Sequence, residues 1–477
     1  MALGFHIQTF GCQMNINDSA WLARALEAQG FELLAGKAAD VARVFILNAC
    51  SVREKPEQKM YAALGRLRRF WERDDRVFAV VGGCVTQHGG KGLFVRFPFV
   101  RLIFGTDSLA TVPQAILRLC LEPGLRLSLI DFSEIYPERD QIISEGRLGP
   151  TAFVNIMQGC DNYCAYCIVP FTRGRQRSRP AEAILAEIRE LVAHGVREVT
   201  MLGQNVNSYG LDAAVAQRAG KGGHFFLDFA GLLRQAASVP GLLRIRFTTS
   251  HPKDLSKSVI AAFGELPTLC PHLHLPLQSG SDRVLAAMGR RYNLAYYLSL
   301  VEALRRARPD VVLTTDIIVG FPGETEVDFK ATLQAVRQVG YISSYSFRYS
   351  DRPGTRATQM ALKVPEAVKA ERLERLQKMQ EELTSEYNRS RVGRLCEVLI
   401  EGASKRPQTS GRPAWSGRDG HGLVVNLMLP STSVPAEHPV RQDAGAPEVD
   451  LVGCIVMTRI TEAKKHSLCG EVTGDPW

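Results

Sequence analysis

The hydrophobic positions of this chain fall into stretches of different period. Over residues 1–125 short apolar runs alternate with amphipathic ones. The runs end FHIQTFGC, VARVFILNAC and VFAVVGGC, and the segments between them read as helices. One helix is predicted from Ser19 to Gln29, with Asp18 as its N-cap and Gly30 as its stop. Alternating β and α segments predict a parallel sheet with helices on its faces. Residues 126–150 form a connector. Over 151–360 the alternation recurs on a larger scale, with apolar strands near 153–157, 198–202, 243–248, 271–276, 312–319 and 343–349. Between the first two, Glu182 to His194 is predicted as a helix with Ile184, Ile188, Leu191 and Val192 on one face and Gly195 as its stop. Six such units predict a partial, TIM-like (β/α)6 barrel, because a full one needs eight. Residues 361–391 read as a linker helix, carried by the charged run VPEAVKAERLERLQKMQEELTSEYNRSR from 364. Residues 392–474 read as short β-strands with basic turns, interrupted by a Pro/Ser/Gly-rich, loop-like insertion at 404–450. The fold class is α/β.

Composition changes this picture little: 45% hydrophobic and 22% charged residues suit a soluble globular protein. No apolar run approaches the ~18 residues of a membrane span, and the first residues lack a secretory signal. A cytoplasmic location and no membrane partner are expected. Without an export signal, eleven cysteines argue for metal ligands or small buried hydrophobes rather than a disulfide framework. A net charge of +9 permits a polyanionic partner such as RNA without requiring one.

Six of the cysteines form two groups of three. Cys160, Cys164 and Cys167 are spaced C-x3-C-x2-C directly after strand 153–157, at the barrel mouth where active sites sit. A closed electron-transfer cluster needs four thiolates. Three leave one iron open to a ligand, and S-adenosylmethionine (SAM) fits that position, with an electron from the cluster cleaving its C–S bond. A zinc site completed by a distant residue, or a plain structural cluster, stays open as an alternative. Cys12, Cys50 and Cys84 are dispersed, but each ends a strand of the same parallel sheet, where ligands bind. A shared cluster is expected there, against three unrelated buried thiols. Cys120, Cys270, Cys396, Cys454 and Cys469 show no grouped spacing and are read as packing residues.

The chain resembles the radical-SAM methylthiotransferases along almost its whole length. The resemblance runs through GCQMNINDS (11–19), NACSVREKPEQK (48–59), GGCVTQ (82–87), NIMQGCDNYCAYCIVPFTRGRQRSRP (155–180), MLGQNVNSYG (201–210), RFTTSHPKDLS (246–256), HLHLPLQSGSDRVLAAMGRRY (272–292), DIIVGFPGETEVDF (316–329) and YSDRPGT (349–355). EGASK and ITEAKKHSLCGEV are similar to a TRAM domain, a small RNA-binding β-barrel. The resemblance implies two [4Fe-4S] clusters: the radical-SAM cluster on Cys160, Cys164 and Cys167, and on Cys12, Cys50 and Cys84 an auxiliary cluster that carries the sulfur. It also implies a tRNA substrate bearing N6-isopentenyladenosine just 3′ of the anticodon, converted to its 2-methylthio derivative. One SAM would be methyl donor and another radical source, with a flavodoxin- or ferredoxin-like electron donor and a monomeric protein. Ala49 and Ala165 stand where the family commonly has Thr, and neither change removes a ligand.

For SAM contact the candidates are Gln204, Asn205, Gln278, Ser279, Ser281, Asp316, Ile318 and Phe321, all at or near strand ends of the barrel; each could equally be a polar cap or core residue. For RNA phosphates the candidates are Arg173, Arg175, Arg177 and Arg179 after the cysteine loop, and Lys464 and Lys465 near the C-terminus, against a solvated basic connector. Competing functions are methylthiolation of N6-threonylcarbamoyladenosine in tRNA or of a ribosomal protein, and a non-catalytic RNA-binding iron–sulfur protein.

Overall fold

The computed structural model describes residues 3–51, 54–139, 148–212, 227–404, 414–428 and 451–473. Its first layer is a six-stranded parallel sheet of β1 (Gly4–Phe10), β2 (Glu32–Leu33), β3 (Val44–Ala49), β4 (Phe78–Gly82), β5 (Val100–Phe104) and β6 (Leu127–Leu129), in the order β2-β1-β3-β4-β5-β6. Every residue of β3 and β4 is buried, as their continuous apolar runs require of central parallel strands. Alternate side chains feed two cores. Phe45, Leu47, Ala79 and Val81 meet Met60 and Leu64 on one face; Ile46, Val80 and Leu102 meet Leu22, Leu26 and Ile116 on the other. The chain runs outward from β1 to β2 and then crosses back to β3, so the strand order reverses between β1 and β3. That is the position where open α/β sheets form their binding crevice.

The helix expected from Ser19 spans Gln13–Glu27 instead. Cys12 holds the N-cap position, and its backbone N–H donates to Asn15 Oδ1 at 3.3 Å, closing the first turn. Asp18 therefore lies inside the helix, where it accepts from Arg139 Nη1 at 3.0 Å.

The second layer begins with β7 (Thr151–Asn155). A two-stranded hairpin follows, β8 (Met157–Gln158) with β9 (Arg177–Ser178), and encloses the cysteine loop. β7 continues as a parallel arc with β10 (Glu198–Leu202), β11 (Arg244–Phe247), β12 (His272–His274), β13 (Val312–Val319) and β14 (Ser343–Arg348). A bridge between Ile245 and Leu269 joins its two three-stranded halves. This is the partial six-unit barrel expected from the sequence. Val199, Met201, Ile245, Phe247, Leu273, Leu313 and Ile317 pack outward into the helical layer. Alternate positions supply a polar interior, where Thr314 Oγ1 meets His272 Nε2 at 3.1 Å and His274 Nδ1 at 3.0 Å. The helix Glu366–Ser390 lies along β14 and covers that edge; its Arg372 pairs with buried Glu324 at 2.7 Å.

The chain ends in a closed five-stranded barrel of β15 (Leu395–Ala403), β16 (Ala414–Asp419), β17 (Val424–Met428), β18 (Ile455–Ala463) and β19 (Leu468–Val472), in the order β15-β16-β17-β19-β18. Part of the stretch expected to be a loop, 404–450, thus supplies two strands, β16 and β17; 405–413 and 429–450 lie outside the described residues. Their hairpin turns at Asp419–Gly422, where Gly422 N–H donates to Asp419 O at 3.0 Å, and its glycines mask the alternation that marks a strand. The barrel docks on the N-terminal part of β11. Arg244 donates to Arg418 O and Glu397 O at 2.8 and 2.9 Å, and Arg246 to Gly420 O and Asp419 O at 3.0 and 2.7 Å. No helix among the described residues is long and apolar enough to cross a membrane.

Candidate active site at the strand ends

Cys12, Cys50 and Cys84 follow β1, β3 and β4, three neighbouring strands, and the sheet gathers them at the crevice. Thiol hydrogen bonds link Cys50 to both Cys12 and Cys84. Behind them lies an amide network: Asn15 Nδ2 donates to Asn48 Oδ1 at 2.8 Å, Asn48 Nδ2 donates to Asn15 O at 3.0 Å, and Asn15 Oδ1 accepts from the Cys12 backbone N–H at 3.3 Å. Sequence reasoning missed this pair. Its signal was a polar residue, Asn48, in the otherwise apolar run VFILNAC. Gly83, just before Cys84, has φ +91°, and a Cβ there would stand 2.5 Å from both Ala49 O and Asn48 Oδ1.

The cysteine loop of the barrel is tied down by its backbone. Cys160 N–H donates to Gly174 O at 3.3 Å, Ala165 N–H to Met288 O at 2.8 Å, and Cys167 N–H to Cys164 O at 3.0 Å. Asp161 accepts from Gln176 N–H at 3.1 Å and from Arg175 Nε at 2.7 Å. Tyr163 takes a left-handed φ of +47°, and Thr249 and Gln278, which follow β11 and β12, take +69° and +70°. Such backbone conformations are costly for residues other than glycine and cluster at functional sites. Buried Arg290 donates to Cys164 Sγ at 3.6 Å and to Pro276 O at 3.0 Å, a neighbour the sequence reading did not single out.

Two side chains connect the trios. Gln204, after β10, accepts from Gly159 N–H beside Cys160 and turns its Nε2 to Met14 Sδ beside Cys12. Arg173 ends the short helix Val169–Arg173 that follows Cys167, and its Nε donates to Cys84 Sγ at 3.3 Å. The cysteine trios therefore face each other across the junction of the two layers.

Their electrostatics differ. A hydrogen bond from Cys50 lowers the Cys12 thiol to about 5, helped by the Arg173 charge and by backbone N–H groups of the first helical turn, against the desolvation of its sulfur by the neighbouring groups, although the residue as a whole is exposed. The same donor lowers Cys84 to about 6, and donating raises Cys50 well above its usual value. In the other trio burial dominates and pushes Cys160 up to about 11 and Cys167 up to about 12. In the iron-free protein Cys12 is then a thiolate at neutral pH, whereas Cys160 is a thiol. Iodoacetamide at pH 7 is expected to alkylate exposed Cys12 well before Cys160. The Cys12 rate should stay flat down to about pH 6, and the Cys160 rate should rise with pH. Peptide mass spectrometry of timed samples checks this, and equal rates at the two cysteines would contradict it.

Several predicted contacts meet a different fate. Arg173, Arg177 and Arg179 are buried, so the expectation that they grip RNA phosphates does not hold. Arg177 pairs with buried Asp107 at 2.6 Å, and Arg179 with Glu187 and Glu138, because the extended run turns these side chains into the junction, where each needs an acid. Arg175 is exposed and pairs with Asp161; Lys464 and Lys465, in the last hairpin, pair with Glu462 and Glu381 at 3.3 and 3.1 Å. Three SAM candidates are also committed to the fold. Ser281 caps the helix Asp282–Ala287 and donates to Asp328 at 2.6 Å, Ser279 meets Thr332 at 3.3 Å, and Phe321 is fully buried against Tyr349. Asn205 donates to Asp254 at 2.7 Å while its Oδ1 lies buried without a hydrogen-bond partner, as does Gln278 Oε1. Asp316 and Ile318 are half-buried on β13, and Asp316 stands 3.5 Å from His274 Nε2.

The donor chemistry suits iron–sulfur clusters. Each trio is all thiol. Among the described residues no three His, Cys, Asp or Glu side chains are gathered around one point as a single metal ion requires, whereas a cluster several ångströms across spans more widely spaced thiols.

The fold and the paired cysteines define a radical-SAM protein joined to a second cysteine-bearing α/β layer. Residues 154–336 match the model of the Radical SAM superfamily, and 4–105 match that of uncharacterized protein family UPF0004. With a TM-score of 0.53 and 14% identity, the fold is like that of TsrM, a radical S-adenosylmethionine methyltransferase from Kitasatospora setae, over 75% of this chain and 74% of that one. The chain is 54% identical to the tRNA-2-methylthio-N(6)-dimethylallyladenosine synthase of Nitratidesulfovibrio vulgaris (strain Hildenborough), covering 99% of both chains. It is 47% identical to that of Lawsonia intracellularis, covering 98% of both, and 44% identical to that of Geobacter sulfurreducens, covering 98% of this chain and 97% of that one. The chain belongs to the family of tRNA-2-methylthio-N(6)-dimethylallyladenosine synthases.

Proposed function

We propose that the protein is a tRNA methylthiotransferase that converts N6-isopentenyladenosine, just 3′ of the anticodon, to its 2-methylthio derivative, with one SAM as methyl donor and another as radical source. The observation that carries this reading is the facing of two three-cysteine groups across one junction, in a chain 54% identical to a relative named for that product. Cys160, Cys164 and Cys167 hold one [4Fe-4S] cluster, and Cys12, Cys50 and Cys84 hold the other. Bound there, the two clusters supply the electron that cleaves SAM and the sulfur that is inserted.

The chain's own residues set the stage. Gln204 and Arg173 keep the cysteine loop against the sheet crevice. Gln278 and Asn205 bring unpaired amide oxygens to strand ends of the barrel, where SAM needs acceptors for its amino group. Half-buried Asp316 and Ile318 remain candidates on the neighbouring strand. Arg175 and the hairpin lysines Lys464 and Lys465 are exposed enough to meet tRNA phosphates. The protein works as a monomer in the cytoplasm and takes electrons from a flavodoxin- or ferredoxin-like donor.

Nucleoside profiling tests the substrate. In a strain lacking this gene, tRNA is expected to carry N6-isopentenyladenosine and to lose its 2-methylthio derivative, which returns when the gene is restored. Normal levels of the 2-methylthio nucleoside without the gene would overturn the assignment. Loss of a methylthiolated threonylcarbamoyladenosine instead would favour the other tRNA target.

A further inference from the structure

The buried guanidinium of Arg173 has more donors than the protein gives it acceptors. Arg173 is 3% exposed; its Nε donates to Cys84 Sγ at 3.3 Å, and its Nη2 is buried with no hydrogen-bond partner. The Asp18 carboxylate stands 3.9 Å from that Nη2, beyond hydrogen-bond reach, and is already engaged by Arg139 at 3.0 Å. A second unpaired polar atom lies at the same trio: Ser51 Oγ, next to Cys50, is buried with no partner. Buried donors normally find acceptors, so an orphan of this kind points to a group that belongs there. The sulfides of an iron–sulfur cluster are such acceptors, and hydrogen bonds to cluster sulfurs are a principal control of reduction potential.

We infer that Arg173 is a positioning residue for the cluster on Cys12, Cys50 and Cys84, with its Nη2 donating to a cluster sulfur. The inference rests on the proposed cluster role of that trio. The donor stabilises the reduced, more negative cluster more than the oxidised one, because a charged donor bonds most strongly where negative charge is greatest. Arg173 also ends the helix that follows Cys167, so the segment that shapes one cluster site tunes the other. The simpler alternative is a buried ion pair with Asp18 that only holds the two layers together.

The test uses the full chain with Cys160→Ala, Cys164→Ala and Cys167→Ala, reconstituted with iron and sulfide so that only the first trio reports. The midpoint potential is then compared for Arg173, Arg173→Gln and Arg173→Lys. Arg173→Gln is expected to shift the one-electron reduction equilibrium toward the oxidised form by at least about tenfold, or about 59 mV. Arg173→Lys, which keeps the charge and loses the planar fork, falls between the two. Unchanged potentials in both variants overturn the inference. If a variant holds no iron, the melting of the iron-free chain decides. An unchanged midpoint means that Arg173 held the cluster; a lowered one means that it only packs the junction, which overturns the inference. If the chain with Arg173 intact holds no iron, the cluster role of the first trio is what fails.

Discussion

Cys164→Ala is expected to abolish reductive cleavage of SAM to 5′-deoxyadenosine, by at least about a thousandfold, or about 4 kcal/mol of barrier. Cys164 is the middle ligand of the barrel trio, is 8% exposed, and stands beside the buried Arg290 guanidinium. Two thiolates cannot hold a cluster that needs three. The fold should survive, because removing one small buried group costs about 1 kcal/mol and the loop's backbone hydrogen bonds to Met288 and Gly174 do not involve that side chain. Retained iron on the other trio distinguishes this outcome from unfolding. Cleavage at the parent rate would remove the radical-SAM assignment of the barrel loop.

Cys50→Ala is expected to do the opposite: SAM cleavage persists, and 2-methylthio product in isopentenylated tRNA falls below detection. Cys50 is the shared hydrogen-bond donor that joins Cys12 and Cys84, so its loss breaks the set at its centre. It lies on the sheet and makes none of the hydrogen bonds that shape the Cys160–Cys167 loop. Both products can be measured in one reaction by mass spectrometry. Methylthiolation retained by this variant would contradict a sulfur-carrying role for the first trio.

Most of the architecture was legible because it rests on local patterns. The strands at 198–202 and 312–319 fall where the apolar runs put them, and cysteines that each end a strand of one parallel sheet must converge. Three features were not legible. The first helix begins at Gln13 because Cys12 occupies its N-cap position, and cysteine is not among the residues that mark helix starts. The hairpin of β16 and β17 hides in a glycine-rich run with little alternation. Arginines at alternate positions read the same whether they face solvent or a buried acid; only the distant partners Asp107, Glu187 and Cys84 decide, and no local pattern names them. The same holds for Ser279, Ser281 and Phe321, whose neighbours at strand ends made them look like ligand contacts although they cap or fill the fold.

The central claim is that each trio holds its own cluster, and iron counting after reconstitution tests it most directly. The parent should bind about eight iron atoms per chain. The chain with Cys12, Cys50 and Cys84 changed to alanine should bind about four, as should the chain with Cys160, Cys164 and Cys167 changed, each with the spectrum of one [4Fe-4S] cluster. A parent that binds only about four, or a triple variant that keeps the parent's full complement, would contradict the account.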